Sequence, residues 1–458
     1  MKKRCPPSTA PAPTNPSKRP SGGLRYHREV GALLSTPYPD SVRFLYALGN
    51  EYKTIKLGLE RITTILEALG SPHRAGRFIH VAGTNGKGST CAMIERVLRE
   101  AGVRTGLYTS PHLVEPTERM RVNGVPATPE EFSAAFTEVH ETAERLLRDG
   151  LIDMHPTYFE TVTAMAFLHF RNSAAEITVL ETGMGGRLDA TNVVDPLLSV
   201  ITPVDFDHEK FLGSTIPQIA FEKAGIIKPG RPVVVSRQHP EALQVLEQRA
   251  AELAAPLLHA TDWRVDHLAL HAYGSRFHAV RSGHDFEIDC PLIGAHQVEN
   301  ALTALTVLDQ LNYAPAAIAR GFAETVWPGR LELVRRRPDL FLDGAHNPAG
   351  ARALAGYLRH FHHGKRIWMV FGAMRDKDLH VIGPMLFPLA TELIFTTPNQ
   401  ARAFQAEEIR EISGESRARI APSPQEALAL LEAADPEDVL LLTGSLYLVG
   451  EVRGLLMG

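Results

Sequence analysis

Apolar and polar residues alternate along the chain with two different periods. Short apolar runs predict buried strands at RFIHVAG (77–83), RTGLYTS (104–110), EITVLET (176–182), LLSVITP (197–203) and RPVVVSR (231–237). Stretches between them repeat apolar residues at helical spacing, and STCAMIERVLREAG (89–102) has Ile94, Val97, Leu98 and Ala101 on one face. Strands that alternate with helices predict an α/β fold with a mostly parallel sheet.

A second series of the same kind follows Trp327–Pro328–Gly329. It predicts strands at LFLDGAHNP (340–348), RIWMVFGAM (366–374), TELIFTTPN (391–399) and DVLLLTGS (438–445). Between the two series, residues 262–289 alternate and turn at Gly274, which predicts antiparallel hairpins, and a helix follows at HQVENALTALTVLDQL. Open parallel sheets bind ligands beyond the carboxyl ends of their strands, so we expect the four polar strand tips to face one cleft.

These patterns predict three parts of the chain. We expect a P-loop-type, mostly parallel sheet domain over residues 24–325 and a smaller Rossmann-like α/β domain over residues 326–458, with a cleft between them. Residues 1–23 are rich in Pro, Ser and Thr and hold five basic and no acidic residues. Such a segment cannot bury a core, and it predicts a disordered extension.

Composition narrows the class of protein. Of the 458 residues, 44% are hydrophobic and 22% are charged, as in ordinary globular proteins with large cores. No apolar run approaches the roughly 18 residues that would span a bilayer. The three cysteines lie far apart, which fits a reducing cytoplasm. A net charge of −4 argues against a nucleic-acid surface, where clustered Lys and Arg are expected.

The segment HVAGTNGKGST (80–90) follows the first predicted strand and opens a predicted helix. Backbone N–H groups at a glycine-rich helix N-terminus, together with the Lys87 ammonium, predict a phosphate site. The segment departs from the common G-x-x-x-x-G-K-[ST] pattern, because Val81 replaces the first glycine and Gly88 follows the lysine. The missing hydroxyl normally binds Mg²⁺, so another residue must do so here. The alternative is a glycine-rich connection that binds nothing.

Three polar residues at neighbouring strand ends are candidate metal ligands: Ser110, Glu181 and His208. A hydroxyl, a carboxylate and an imidazole could complete octahedral Mg²⁺ with nucleotide oxygens and water, although imidazole is an unusual ligand for this ion. Taken singly, they also fit a turn former, a cap and a satisfied polar residue. Lys223 lies in the last turn of a predicted helix, where the pattern alone favours a surface lysine. GMGGRL (183–188) lacks the third glycine of a dinucleotide fingerprint, which argues against hydride transfer.

Eight segments then occur in a telling order: GTNGKGS, TSPHL…ERMRVNG, ETGMGGRLDATN, DHEKFLG, AFEKAGIIK, WPGRLE, LDGAHNP and LTGSLYLVGEVR. From about Tyr52 onward the chain closely resembles the folylpolyglutamate synthase and dihydrofolate synthase family of the Mur ligase superfamily. The resemblance implies that ATP phosphorylates a carboxylate of dihydropteroate or of a folate's terminal glutamate, and that L-glutamate then displaces phosphate. It implies two Mg²⁺ ions and is compatible with an additional monovalent cation. We expect a cytoplasmic monomer with no membrane or nucleic-acid partner.

The resemblance also assigns roles to individual residues. It assigns ATP to Gly83, Thr84, Asn85, Gly86, Lys87, Gly88 and Ser89, with Asn300, Arg330 and Asp343 as adenine, phosphate and ribose contacts. It makes Ser110, Glu181 and His208 the magnesium ligands, and it implies that Lys223 is carbamylated. His346 and Ser445 match positions implicated in glutamate binding or turnover, with helix capping as the alternative.

The pterin site is assigned in the same way. HPTYFET (155–161) looks like the family's pteroate-contacting segment, with Thr157, Phe159, Glu160 and the more distant Asp189 as the matching positions. A ring can stack on a flat pterin and a carboxylate can accept from its N–H groups, although Phe159 also suits core packing. Lys53 and Thr54 resemble the N-terminal part of that site.

Three other functions stay open at this point. A peptidoglycan-precursor ligase belongs to the same superfamily, but TSPHL, HPTYFE and LDGAHNP favour folate. A non-catalytic nucleotide-binding protein would not need the metal ligands or Lys223. Poly-γ-glutamate synthesis on another acceptor is a more distant alternative. The sequence leaves open whether one or both folate reactions are catalysed.

Overall fold

The computed structural model describes residues 38–48 and 58–457. Its strands are β1 Arg77–Ala82, β2 Thr105–Tyr108, β3 Met120–Val122, β4 Val125–Pro126, β5 Ile177–Glu181, β6 Leu198–Ile201, β7 Val233–Val235, β8 Leu257–His259, β9 Arg264–His271, β10 Gly274–Arg281, β11 His284–Cys290, β12 Glu332–Arg335, β13 Asp339–Leu342, β14 Ile367–Phe371, β15 Glu392–Thr396, β16 Arg419–Ala421 and β17 Val439–Thr443. Its α-helices are α1 Tyr38–Ala47, α2 Glu60–Ala68, α3 Lys87–Glu100, α4 Pro129–Arg148, α5 Tyr158–Asn172, α6 Glu209–Leu212, α7 Ile216–Ala224, α8 Pro240–Glu252, α9 His296–Gln310, α10 Pro315–Ala323, α11 Pro348–Phe361, α12 Leu379–Leu386, α13 Ala406–Ser413, α14 Pro424–Leu430 and α15 Leu446–Met457. The predicted N-terminal extension, Lys53 and Thr54 lie outside the described residues.

The first sheet has eight strands in the order β4-β3-β2-β5-β1-β6-β7-β8. Strands β2, β5, β1, β6, β7 and β8 are parallel, and β3 and β4 add an antiparallel edge. The predicted α/β fold with a mostly parallel sheet is therefore confirmed. In the centre, Val81 of β1 pairs with Glu181 of β5 and with Val200 of β6. This register brings the loop after β1 beside the ends of both neighbouring strands.

Helix α3 starts directly after the glycine loop and packs into the largest part of the core. Ile94, Val97 and Leu98 are fully buried, as their spacing predicts. The helix begins two residues before the predicted stretch, because Gly86 has the left-handed backbone of its N-cap (φ 82°). The predicted hairpins are confirmed as the antiparallel strands β9, β10 and β11, and the helix predicted after them is α9.

The second sheet has six strands in the order β12-β13-β17-β14-β15-β16. All neighbours are parallel except β12 and β13. The four apolar runs predicted after residue 329 are β13, β14, β15 and β17, which confirms a second α/β series. The domain boundary predicted at residues 325–326 lies in the connection between α10 and β12. None of the helices in the described part of the chain is long and apolar enough to cross a membrane.

A helical layer of α1, α2, α4 and α5 lies beside the first sheet and has its own core around Phe132, Phe136 and Phe167. Arg61 of α2 and Glu160 of α5 form a buried ion pair in this layer, with Nη2 and Oε2 2.7 Å apart. Glu160 also closes a capping box with Thr157 at the start of α5. The short apolar runs that predicted the strands did not reveal this layer.

The contact between α10 and α3 gives a test of the core. A Cβ atom on Gly321 would lie 2.5 Å from the Cα of Val97, a backbone atom that cannot move alone. We expect Gly321→Ala to lower the free energy of unfolding by about 2 kcal/mol, because overpacking outweighs the roughly 1 kcal/mol gain in helix propensity. Urea unfolding followed by circular dichroism measures the change.

Gly356 in α11 is the matched control. It is also a helical glycine, but a Cβ atom added to it would have no neighbouring atom within 4 Å. We expect Gly356→Ala to stabilise the protein by roughly 0.5–1 kcal/mol. Equal effects of the two substitutions would contradict the tight contact between α10 and α3.

Candidate active site

A cavity of about 400 Å³ lies between the two sheets, at the carboxyl ends of their strands. The predicted glycine loop, the ends of β5 and β6, helix α9 and the second sheet all contribute to its walls. The lining residues include Asn85, Lys87, Ser110, Glu181, Asp207, His208, Asn300, Arg330, Asp343, His346, Lys377 and Ser445. Parallel strands therefore bring residues that are distant in sequence to one site.

The glycine loop is held by the segment that follows β6. The N–H groups of Thr84 and Asn85 donate to the carbonyl of Pro203 over 2.9 and 3.3 Å. Gly86 has a left-handed backbone, and a Cβ atom on it would lie 2.2 Å from Oδ1 of Asn300, so a larger residue would strain the loop or displace Asn300. The indole ring of Trp327 lies against the same loop, because a Cβ atom on Gly88 would be 2.8 Å from its Nε1. The loop thus has a defined shape and opens into the cavity.

Two lysines meet at this loop. Nζ of Lys87 donates to the carbonyls of Gly83 and Thr84 over 3.2 and 3.3 Å, and it lies 4.0 Å from Oε1 of Glu181. Nζ of Lys223 donates to the same Gly83 carbonyl over 2.7 Å. Burial, with the nearby Lys87 ammonium, lowers the pKa of Lys223 to about 7. The surface position that the helix pattern favoured for Lys223 is wrong, since the residue is only 3% exposed.

The three predicted metal ligands line the same cavity. Glu181 is buried and accepts a hydrogen bond from the N–H of Ser110 over 3.3 Å. Burial raises the pKa of Glu181 above its ordinary value, and the Lys87 ammonium opposes that rise. Burial also lowers the pKa of His208, so its imidazole is neutral and able to coordinate. A buried carboxylate, a hydroxyl and a neutral imidazole around one cavity fit the implied Mg²⁺.

The second sheet closes the cavity with three of its strand tips. Asp343 accepts from the N–H groups of Leu331 and Ala345, each over 2.9 Å, and these contacts hold the connection that carries Arg330. Nδ2 of Asn347 donates to Oδ1 of Asn85 over 3.0 Å, across the cleft. In the predicted fourth tip, after β15, residues 391–399 are not among the lining residues, but Arg402 of the same connection is. Strand β15 lies beyond β14 in the sheet order, so only the later part of its connection reaches the cavity.

His346 and Ser445 differ in their local bonding. The proton on Nδ1 of His346 points to the carbonyl of Gly344 over 2.7 Å, and burial lowers the pKa of His346 to about 4. Asn347, not His346, caps α11. Oγ of Ser445 accepts from the N–H of Tyr447 over 3.1 Å at the start of α15, as the capping alternative expects.

The pterin candidates do not lie together in the cavity wall. The Glu160 carboxylate is occupied by Thr157 and Arg61. Asp189 accepts from the N–H groups of Gly183 and Met184 and from the N–H and hydroxyl of Thr191. These carboxylates therefore position α5 and the loop after β5. Phe159 is half-buried and lies against Gly183, a cavity-lining residue.

Several lining residues were not predicted. Oδ1 of Asp207 lies 3.3 Å from Nζ of Lys377, so an ion pair joins the segment after β6 to the tip of β14. Burial alone would raise the pKa of Asp207, but His208, Lys377 and His346 together hold it well below its ordinary value. Gln297 donates to Oγ of Ser89 over 3.3 Å and accepts from Asn300 over 2.9 Å. Asp207, Lys377 and Gln297 are each close in sequence to a predicted site residue or strand tip. That proximity is the feature of the sequence that could have identified them.

A glycine loop at a helix N-terminus, a buried carboxylate beside it and a second α/β sheet across the cleft define a nucleotide-dependent ligase of the Mur type. Family descriptions agree with this class: residues 81–308 match the Mur ligase middle domain and residues 329–446 match the Mur ligase glutamate ligase domain.

Individual relatives narrow the class further. The chain is 38% identical to a dihydrofolate synthase/folylpolyglutamate synthase of Bacillus subtilis over 91% of its own length and 99% of the relative's. It matches a Mycobacterium tuberculosis folylpolyglutamate synthase complexed with ADP (TM-score 0.85, 33% identity, 92% and 99% of the two chains). It also matches Escherichia coli FolC in complex with DHPP and ADP (TM-score 0.81, 31% identity, 92% and 98% of the two chains). The chain belongs to the dihydrofolate synthase/folylpolyglutamate synthase family and is an ATP-dependent glutamate ligase. These names favour folate over peptidoglycan precursors.

The burial of Lys223 predicts a pH dependence of stability. Between pH 7 and 10.5 the unfolded chain holds a proton on Lys223 that the folded protein has released. Raising the pH in this window therefore favours folding, by up to about 1.4 kcal/mol per pH unit. We expect Lys223→Met to remove this contribution, measured as the free energy of unfolding in CO₂-free buffer.

The exposed Lys210 provides the control for this measurement. Lys210→Met should keep the wild-type dependence on pH. If the curves of wild type and Lys223→Met run parallel from pH 7 to 10, the lowered pKa is wrong.

Proposed function

We propose that this enzyme joins L-glutamate to dihydropteroate and also extends reduced folates at their terminal glutamate. The observation that carries the proposal is the cavity in which the glycine loop, Glu181 and the tips of the second sheet meet. The Bacillus subtilis relative is named for both reactions, and the Escherichia coli structure is a complex with both DHPP and ADP. A cleft with a nucleotide loop on one side and a second sheet on the other has room for two further substrates.

The glycine loop and Lys87 would bind the phosphates of ATP. The loop offers backbone N–H groups at the N-terminus of α3, and the Lys87 ammonium lies beside it. The γ-phosphoryl group passes to the acceptor carboxylate, which gives an acyl phosphate and ADP. Because charge spreads over the phosphoryl oxygens in this step, fixed positive groups accelerate it. Asn300, Arg330 and Asp343 line the same cavity and would hold the rest of the nucleotide.

Ser110, Glu181 and His208 would hold Mg²⁺, which supplies charge neutralisation when bound. Lys223 supports this assignment, since a pKa of about 7 leaves much of its amine neutral and able to react with CO₂. The resulting carbamate would be anionic and would reduce the surplus positive charge next to Lys87. Two Mg²⁺ ions, a monovalent cation and carbamylation stay predictions.

The amine of L-glutamate would then attack the acyl phosphate and release phosphate. His346 lines the same cavity, and because the proton on its Nδ1 is directed to the Gly344 carbonyl, its Nε2 is the nitrogen able to accept a hydrogen bond from the glutamate amine. Ser445 and Lys377 line the same wall and could bind a glutamate carboxylate. Acyl phosphates hydrolyse readily, so closure of the cleft would protect the intermediate. The monomeric state and the cytoplasmic location stay predictions.

Substitution of Lys87 or His208 tests the proposed site. We expect Lys87→Ala and His208→Ala to lower kcat by about 1,000-fold, because each removes a group that balances charge in the transition state. ADP formation with glutamate is measured separately with dihydropteroate and with tetrahydrofolate. Lys210→Ala serves as the matched control and should keep wild-type activity.

The two acceptors also test the proposed breadth of substrate. Activity with only one of them would contradict the bifunctional proposal while leaving the ligase class intact. Full activity in Lys87→Ala or His208→Ala, with circular dichroism unchanged, would contradict the assigned site.

Substitution of Phe159 tests the proposed binding site for the pterin ring. Its ring lies against Gly183 at the cavity wall, where it could stack on a flat ring system. We expect Phe159→Ala to raise KM for dihydropteroate by about 10-fold and to leave KM for ATP unchanged. Phe159→Tyr keeps the ring and should behave like wild type. An unchanged KM for dihydropteroate in Phe159→Ala would show that Phe159 only packs in the core and does not contact the substrate.

A further inference from the structure

Two histidines and a glutamate converge in the helical layer, away from the ATP cavity. His140 and Glu144 lie one turn apart on the same face of α4, and His155 comes from the connection between α4 and α5. One ligand atom from each lies within 4.8 Å of the others. In the described ranges, no other group of three His, Cys, Asp or Glu side chains meets this condition. We call these three residues the His–Glu–His cluster.

The separations in this cluster are those of metal ligands. Nε2 of His155 lies 3.4 Å from Nδ1 of His140 and 3.6 Å from Oε1 of Glu144. Two ligands that each lie about 2.1 Å from a tetrahedral Zn²⁺ are about 3.4 Å apart. The cluster therefore has room for an ion between its ligand atoms without a large movement of the side chains.

The bonding of His155 directs a lone pair into the cluster. Its Nδ1 lies 3.1 Å from the carbonyl of Pro156, which can only accept, so the ring proton belongs on Nδ1. Nε2 then carries a lone pair that points toward His140 and Glu144. A histidine that donates its second N–H to a backbone carbonyl is the usual form of a metal-bound histidine.

The surroundings keep both rings neutral and close the cluster on one side. Burial lowers the pKa of His140 to about 4 and lowers the pKa of His155. The ring of Phe136 stacks on His140 at a centroid distance of 5.5 Å, and Phe44 meets its edge at 4.6 Å. The side chains of His155 and Glu144 are 20% and 22% exposed, so an ion could enter from their side.

Some features of the cluster oppose metal binding, but their energetic cost is smaller than the free energy gained from coordination. Nε2 of His140 is buried with no hydrogen-bond partner among the described residues, and coordination through Nδ1 leaves its proton unpaired. Arg61 adds positive charge nearby, but the buried Glu160 carboxylate pairs with it. Without an ion, the N–H at Nδ1 of His140 donates to Nε2 of His155 over 3.4 Å. Coordination replaces this one long hydrogen bond with three metal–ligand bonds, which outweighs these costs.

We propose that the His–Glu–His cluster binds a divalent transition-metal ion, with Zn²⁺ favoured, through Nδ1 of His140, a carboxylate oxygen of Glu144 and Nε2 of His155. Two imidazoles and one carboxylate suit Zn²⁺ better than Mg²⁺, and water would fill the fourth position. The ion would tie the connection before α5 to α4. Thr157, which caps α5, follows His155 by two residues, and Phe159 by four. The ion would thus fix the start of the helix that carries Phe159.

Metal titration of the full-length protein tests this site. Chelator-treated protein is titrated with Co²⁺, whose visible d–d absorption reports four-coordinate nitrogen and oxygen ligands, and with Zn²⁺ in competition with a chromophoric chelator. Excess Mg²⁺ is present to occupy the proposed site at Ser110, Glu181 and His208, and we expect one equivalent of each transition-metal ion to bind. Glu144→Gln and His155→Gln should each weaken Zn²⁺ binding by about 100-fold or more, because loss of a direct ligand costs at least as much as loss of its supporting contacts.

Glu141→Gln is the matched control. Glu141 is exposed on the same helix, and its substitution removes the same charge, so this variant should bind Zn²⁺ like wild type. Circular dichroism checks that each variant is folded, and Glu144→Gln changes a partly exposed side chain with little effect on packing. The same Zn²⁺ affinity in wild type and all three variants, or no Co²⁺ absorption, would overturn the proposal. Neither result depends on ligase activity.

Discussion

The carbonyl oxygen of Gly83 accepts hydrogen bonds from two lysines, and this shared contact sets the electrostatics of the site. Lys223 is fully buried, and burial together with repulsion from the nearby Lys87 ammonium lowers the pKa of Lys223 to about 7. Glu181 is the nearby carboxylate, 4.0 Å from Lys87. The Lys87 ammonium beside the glycine loop therefore favours an anion at that position. The register of β1 between β5 and β6 produces this arrangement before any ligand binds.

Much of this architecture could be predicted from sequence, because buried strands give continuous apolar runs and the chain has them in two series. The glycine loop and Glu181 follow from strand ends in the same way. The burial of Lys223 could not be predicted from the pattern of its helix. A lysine in the last turn of a helix gives the same sequence pattern whether its side chain faces water or a backbone carbonyl. The helical layer was missed because the short apolar runs mark strands, whereas these helices pack against each other and against one face of the first sheet. Glu160 and Asp189 have structural bonds that only the folded chain reveals.

Several polar side chains join the two parts of the chain across the cleft. Asn347 reaches Asn85, Lys377 reaches Asp207, and Arg352 lies 3.4 Å from Asp205. On the side of the first sheet, all three contacts fall in the glycine loop or in the segment after β6. Polar contacts of this kind exchange readily with water. The position of the second sheet is thus coupled to the parts of the first sheet that surround the nucleotide loop.

The ring of Trp327 against Gly88 has a practical consequence. The other two tryptophans of the chain, Trp263 and Trp368, are almost completely buried in separate cores, whereas Trp327 is half-buried at the loop. An indole changes its emission when the polarity around it changes. The protein therefore contains its own optical reporter, and titrations of nucleotide can be followed without an attached dye.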